Sequence, residues 1–294
     1  MRKQIFYTIL FVVFIAARSF GQFQTPSFFG INYSPSKIKN DSINGTSNDV
    51  NAYLNFPVYR NDKQFIGARI NYESIHTNEV NSYFDRHFTG TDLNVFWQSK
   101  LNEKHKLYVF AKGGIYSDYK DISGKDIRFL IGSGYITKNS DRLSTGFGLI
   151  YGRQFFGNQI NPYIAIDYDI TPKLNLSGIL PVRPVLTYKI SNRFSWVNEI
   201  DGNVQTFRLS QTDYDNSFVQ IIGWKYVSSA QFLAGKHHMF TAGIGYLAQT
   251  QGYYNDEDVN NWKIFTFNIS QKNKPIELLK MHGVTFSIGY DFVL

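Results

Sequence analysis

The chain is written largely in alternation. From Val284 to the end, Val284, Phe286, Ile288, Tyr290, Phe292 and Leu294 fall on one side of an extended strand, and Thr285, Ser287, Gly289 and Asp291 on the other; only Val293 breaks the phase. A run of about 11 residues is what a tilted strand needs to cross a bilayer. Ile66, Ala68, Ile70 and Tyr72 alternate with Gly67, Arg69, Asn71 and Glu73. Leu93, Val95 and Trp97 alternate with Asp92, Asn94, Phe96 and Gln98, and Ile164, Ile166, Tyr168 and Ile170 with Ala165, Asp167 and Asp169. Further strands are predicted near 28–34, 48–58, 106–117, 127–138, 143–153, 194–203, 217–234, 239–249 and 262–271.

Turn chemistry separates these runs. Arg60-Asn61-Asp62-Lys63, Lys138-Asn139-Ser140-Asp141, Thr171-Pro172-Lys173 and Ser191-Asn192-Arg193 read as tight turns, and longer polar links run near 35–47, 75–87, 118–126, 203–216 and 250–261. Between Leu174 and Ile190 the apolar phase holds as one long strand would, but Pro181 and Pro184 cannot donate to a ladder and favour a turn; both readings stay open. Strands with short turns on one side and long loops on the other predict an all-β fold, a transmembrane antiparallel up-and-down β-barrel of about 12–14 strands, even in number. A soluble β-protein is the alternative. Gly132/Gly134, Gly146/Gly148 and Gly243/Gly245 recur at period 2, where glycine permits sheet curvature and a neighbouring aromatic can cover it.

The last strand resembles the assembly signal of bacterial outer-membrane barrels, in Tyr290, Phe292 and the terminal Leu294, which stands where that pattern most often has an aromatic. The resemblance implies an uncharacterised family of such barrels, insertion by the barrel assembly machinery, and outer-membrane lipid as the surrounding partner.

The N-terminus agrees with export. Arg2 and Lys3 precede an apolar run from Ile5 to Ala17, and small residues stand at Ser19 and Gly21 ahead of Gln22. That order is the pattern of a cleaved secretory signal, and the run is shorter than the ~20 residues of a membrane-spanning helix. The expected division is a signal over 1–21 and one barrel domain over 22–294, located in a bacterial outer membrane. The chain has 30 Lys+Arg, 23 Asp+Glu and no Cys, which excludes a disulfide framework, a thiolate metal site and a Cys-borne lipid anchor. No basic run with interleaved aromatics points to nucleic acid. Mean hydropathy is −0.27 while 17% of residues are aromatic, a combination that suits a wall with one face in lipid and one in a polar lumen.

Charges facing lipid near the midplane cost ~2–4 kcal/mol for Lys or Arg. Arg69, Glu73, Asp92, Lys112, Asp167, Asp169, Arg183, Glu199 and Lys225 are therefore expected to line the lumen. Their mixed signs either cross-pair and fill a narrow lumen or line a weakly selective pore. No catalytic residues, metal site or cofactor are expected. The six His show no ligand spacing and fall mostly in expected loops, and Gly132-Ser133-Gly134 is not the nucleophile elbow of hydrolases. Asp256-Glu257-Asp258 lacks calcium-loop spacing and reads as a solvated acidic loop. The function expected is passage or binding of a small polar solute; the alternatives are a non-conducting structural or secretion-complex barrel and, distantly, a barrel hydrolase with a lipid-facing Ser/His pair.

The signal reading has a direct check. Mass spectrometry of the protein recovered from membranes is expected to show an N-terminus at Gln22 or a near neighbour. An intact 1–17 segment contradicts it.

Overall fold

The computed structural model describes residues 27–40, 42–80, 82–210, 217–255, 261–264, 267–270 and 274–294. The segments 1–26 and 256–260, with the expected signal and the Asp256–Asp258 cluster, lie outside them. The strands are β1 (Ser27–Lys39), β2 (Asn44–Arg60), β3 (Gln64–Asn78), β4 (Arg86–Lys100), β5 (His105–Ser117), β6 (Ile127–Lys138), β7 (Leu143–Gln154), β8 (Gly157–Asp169), β9 (Leu174–Leu180), β10 (Arg183–Lys189), β11 (Phe194–Arg208), β12 (Phe218–Ala234), β13 (His238–Tyr254), β14 (Asn261–Ile264), β15 (Phe267–Asn268) and β16 (Glu277–Val293). A single 3-10 turn, Gly124–Asp126, precedes β6, capped by Ser123.

Each strand pairs antiparallel with its neighbour in sequence from β1 to β13, β16 joins β13 to β1, and the β8–β9 pairing makes the sheet continuous all round. The result is a closed barrel of 14 antiparallel strands, with β14 and β15 outside the ring. Its register carries the alternation from strand to strand. Ile31 lies opposite Tyr290 and Ala52, Ile70 opposite Leu54 and Leu93, and Phe147 opposite Ile164. These apolar rows face outward and stay open, with Ile70 43%, Ile288 63% and Phe147 68% exposed. A continuous belt of exposed Ile, Leu, Val and aromatics around a closed barrel is the surface that a lipid-facing wall would present. Facing inward, Phe110 lies over Gly132 and Tyr163 over Gly134 and Gly148, so close that a Cβ at any of the three would strike a ring. This is the aromatic cover that the period-2 glycines suggested.

Both described chain ends and the turns 61–63, 101–104, 139–142, 170–173, 190–193 and 235–237 lie at one end of the barrel. The connection 170–173 turns on Thr171, whose hydroxyl accepts from the amides of Lys173 and Leu174; those at 61–63, 101–104, 139–142 and 190–193 are closed by comparable Asn and Ser contacts, and 235–237 turns on Gly235 at φ +67°. At the opposite end the sequence reading needs correction. β11 runs to Arg208, so the loop expected from 203 starts later; the link expected at 35–47 is largely strand, and those expected at 75–87 and 250–261 begin inside β3 and β13, which run to Asn78 and Tyr254. Phe155-Phe156 and Pro181-Val182 make short connections at this end, the latter resolving Leu174–Ile190 into the hairpin β9–β10. The strand expected over 262–271 is not a wall strand of the ring: β14 lies parallel to the first residues of β8 and folds back on β15.

The short hairpin determines what happens at the loop end. β9 and β10 have 7 residues each and β11 has 15, so β11 outlasts its neighbour. At the hairpin tip the Gly202 amide donates to Val182 O at 2.7 Å. Beyond it β11 crosses the barrel and meets β5: Arg208 pairs in parallel with Ser117, and the Asp118 amide donates to Arg208 O at 3.1 Å. β12 stays paired with β11 and β13 with β12, and the loop end is thereby drawn into a narrower ring of β1–β5, β11, β12, β13 and β16. Its inside holds an apolar cluster, with Thr77, Gln249 and Gln251 buried on the same inward faces. Phe84, Phe88, Phe207, Leu209 and Val219 are fully buried, packed with Ile38, Leu247 and Met281, and Phe88 stacks on Phe207 at 5.2 Å. Burying side chains of this size stabilises by ~1.5–3 kcal/mol each.

The facing is testable with single Cys substitutions in a chain that has none. Membrane-restricted probes are expected to report positions 70 and 288 and not 69 and 287, and Ile70→Arg is expected to cost ~2–4 kcal/mol in folding titrations. Equal labelling within each pair contradicts the lipid-facing assignment.

Candidate functional site in the barrel interior

Strand parity turns the polar residues of the wall inward, on the face opposite the outward rows of Ile, Leu and aromatics. In the turn-end half, Arg69 donates from Nε to Asn55 Oδ1 at 2.8 Å and lies over the Tyr53 ring at 4.0 Å, while the Tyr53 hydroxyl bonds Asp291. Asp167 and Asp169 both accept from Asn175, at 2.9 and 3.0 Å. Glu199 stands on β11 opposite Val185 and Val227.

The remaining candidates converge where β11 leaves the wall. A cavity of about 320 Å³ there is lined by Glu73, Lys112, Arg183 and Lys225 together with Asp49, Arg128, Asp201 and Gln205. Its charges are mostly paired within the wall. Asp92, 4% exposed, accepts from Asn71 at 2.6 Å and from the Tyr116 hydroxyl at 2.6 Å, and meets Lys112 Nζ at 2.9 Å. Glu73 accepts from Gln205 at 2.6 Å and faces Arg128 at 3.5 Å. Arg183 reaches Asp201 Oδ1 with both Nε and Nη2, at 2.9 and 2.7 Å. Pairs of this kind repay the removal of charge from water only if the remaining hydrogen bonds are also made. Asn71 and Tyr116 supply them for Asp92, and Gln205 for one oxygen of Glu73, whose other oxygen faces Arg128 without a hydrogen bond.

Several of these residues were not singled out in the sequence. Arg128 and Asp201 carry the same signal as those that were, each lying beside outward apolar residues, Ile127 and Phe129 in one case and Ile200 in the other. Arg128 is held by Gln154 and Thr206 and lies 3.3 Å from the centroid of the Tyr116 ring. Arg208 gave no such signal. It forms a buried ion pair with Asp126 at 2.7 Å, side chains 4% and 0% exposed, which fastens the β11 tip to the capped turn before β6.

The histidines depart from expectation: His76, His87, His105, His238 and His282 are on strands. His76 and His87 are cross-strand partners on the outer face, and Ser74 Oγ lies 2.6 Å from His87 Nε2. A hydrolytic site needs more than this pair. The base needs an orienting partner and the substrate an oxyanion pocket. Among the described residues no side chain bonds His87 Nδ1, and Ser74 sits in a strand paired on both sides, so that its neighbouring amides belong to the ladder. Also among the described residues, no three His, Asp or Glu gather as metal ligands would.

The chain belongs to the family described as Domain of unknown function (DUF6268), which matches residues 16–275. No curated protein matches it. Among solved structures it is similar to the NanC porin, with 9% identity, a TM-score of 0.39, and coverage of 90% of this chain and 100% of that one. The toluene transporter TodX of Pseudomonas putida gives 11%, 0.37, 90% and 88%. The translocator domain of the autotransporter NalP from Neisseria meningitidis gives 8%, 0.35, 100% and 96%. The barrel assignment rests on this chain's own strand pairing rather than on these likenesses.

The two kinds of ion pair in the molecule separate cleanly by mutation. Arg208→Ala strands Asp126 without a counter-charge and is expected to cost ~3–5 kcal/mol. Lys138→Ala, which removes an exposed pair with Asp141, is expected to leave the urea midpoint unchanged. Equal midpoints for the two variants contradict the role given to Arg208.

Proposed function

We propose that this member of the DUF6268 family is an integral outer-membrane barrel that is closed to free diffusion at its loop end and binds a small polar solute in the mixed-charge cavity beneath the closure. The belt of exposed apolar side chains supports membrane embedding, because a bilayer accepts backbone only in helices or closed barrels. Short turns together with both described chain ends at one end, and the longer connections at the other, support an orientation with the turns toward the periplasm.

The observation that carries the closure is the crossing of β11 to β5. It places the fully buried Phe88 and Phe207 and the buried Arg208–Asp126 pair across the path a solute would follow. Polar groups around the cavity, including Lys225 and Arg183 from one wall and Glu73 and Lys112 from the other, offer a solute partners of both signs. The nine lumen candidates thus divide into those at the cavity and those, such as Arg69, Asp167 and Asp169, that brace the turn-end half. The same closure favours a second reading, a non-conducting barrel that serves within a larger assembly, with the cavity charges acting only as wall braces.

Planar-bilayer recordings test this. The wild-type barrel is expected to show no steady ohmic current, and the double variant Phe207→Arg/Leu209→Arg, which puts charge into the apolar closure, is expected to conduct. Steady large conductance of the wild type overturns the closure. Saturable, salt-sensitive inhibition of the variant's current by small polar solutes, lost in Lys225→Gln, supports the binding site; its absence leaves the structural-component reading in place.

A further inference from the structure

We propose that the turn-end rim of the barrel is a binding surface for the anionic headgroups of phospholipids in the leaflet that surrounds it. The proposal rests on the membrane reading above and adds to it a lipid class.

The basis is how charge is sorted between the two ends. The six turns with their flanking residues, 60–63, 100–106, 138–142, 170–173, 189–193 and 235–237, hold eleven Lys/Arg and three Asp/Glu. The described residues of the connections at the opposite end, within 40–43, 79–85, 118–126, 155–156, 181–182, 209–217 and 255–276, hold five Asp/Glu and four Lys. A chain with a formal net charge of +7 therefore concentrates its cations in a strongly basic rim at one end, with at least one Lys or Arg in every turn.

The fold brings these charges together rather than apart. Lys100 and Lys106 are cross-strand partners, the Lys100 amide donates to Lys63 O at 2.7 Å, and the Lys138 amide donates to Lys104 O at 2.7 Å. Five lysines thus gather over three adjacent turns, with Asp141 against Lys138 as one local counter-charge. Like charges placed opposite one another on a sheet are destabilising. An anionic surface against the rim offsets that cost.

Position selects the source of the anions. The rim begins where the outward belt ends, so lysine stems can run along apolar wall and hold the ammonium groups at headgroup height. Each of the six turns carries at least one cation, with seven of the eleven over the turns at 60–63, 100–106 and 138–142, so the rim is basic on all sides and densest there. A lipid leaflet surrounds the barrel in the same way, whereas a soluble partner docks from one side. Each Lys or Arg at an anionic membrane surface favours partitioning by about fivefold, and the effect falls off within a Debye length.

The test uses the full chain in nanodiscs of phosphatidylcholine with a minority of phosphatidylglycerol, read by electron paramagnetic resonance of spin-labelled lipids of each headgroup. The wild type is expected to favour phosphatidylglycerol several-fold in its lipid shell, with the preference falling toward unity as salt is raised. The variant Lys63→Gln/Lys100→Gln/Lys104→Gln/Lys138→Gln is expected to lose most of that preference while remaining a folded, heat-modifiable barrel. No headgroup preference in the folded wild type, or an unchanged preference in the folded variant, overturns the proposal. So does binding of a soluble anionic polymer such as polyglutamate, with the same variant dependence, in place of lipid. Failure of the wild type to enter nanodiscs at all is a different result and overturns the membrane reading itself.

Discussion

Hydrocarbon offers a peptide group nothing to bond to, so a strand that enters a bilayer must find a partner on each side. For the membrane-embedded barrel proposed above, most of the molecule follows from that constraint. It brings β16 back to β1 across the whole length of the chain and closes β8 onto β9. It also explains the loop end. The β9–β10 hairpin stops after 7 residues per strand, leaving an edge of β11 without its neighbour, and β11 resolves this by crossing to β5 while β14 takes up the edge of β8. The closure is thus a consequence of one short hairpin in a wall that otherwise has to be continuous.

Burial divides the interior into two chemistries. The turn-end half and the cavity are polar, with carboxylates and cations held by Asn, Gln and Tyr side chains, so that few charges depend on one partner alone. The loop end has an apolar core of the kind found in a soluble domain, with Phe84, Phe88, Phe207 and Leu209 fully buried. The junction between them is held by Arg128, which contacts Gln154 and Thr206 while its guanidinium lies against Tyr116, and by Arg208 with Asp126. Electrostatics and packing therefore act on the same few residues of β11, and displacement of that strand would cost both.

How much of this was legible follows from what each residue faces. Strands with lipid on one side and lumen on the other alternate cleanly, as from Val284 to Tyr290, and their inward charges could be named by parity alone. β1 continues through Ser34, Pro35 and Ser36, where the apolar phase fades, and its second half was therefore read as loop. The end of β11 inverts the pattern: Phe207 points into an apolar core and Thr206 and Arg208 into a polar seam, neither face meeting lipid. A strand of that kind leaves no membrane signature, so both the crossing and the Arg208–Asp126 pair were invisible. The converse error was β14, whose outward Trp262 and Ile264 mimic a wall strand although it lies outside the closed ring. The hairpin at Pro181 was ambiguous because its strands keep one phase across the turn.

The central claim is that the β11 tip is a paired, buried strand and not a mobile loop over an open pore. Hydrogen exchange of the unmodified protein in nanodiscs, followed by mass spectrometry over peptides spanning 203–210 and 116–119, addresses it without mutation. The Asp118 amide bonds Arg208 O and the Leu209 amide bonds Ser217 O. Both peptides are therefore expected to be protected to the same degree as the lipid-facing strands. Exchange of 203–210 at the rate of the exposed turns, with the belt strands still protected, contradicts the account.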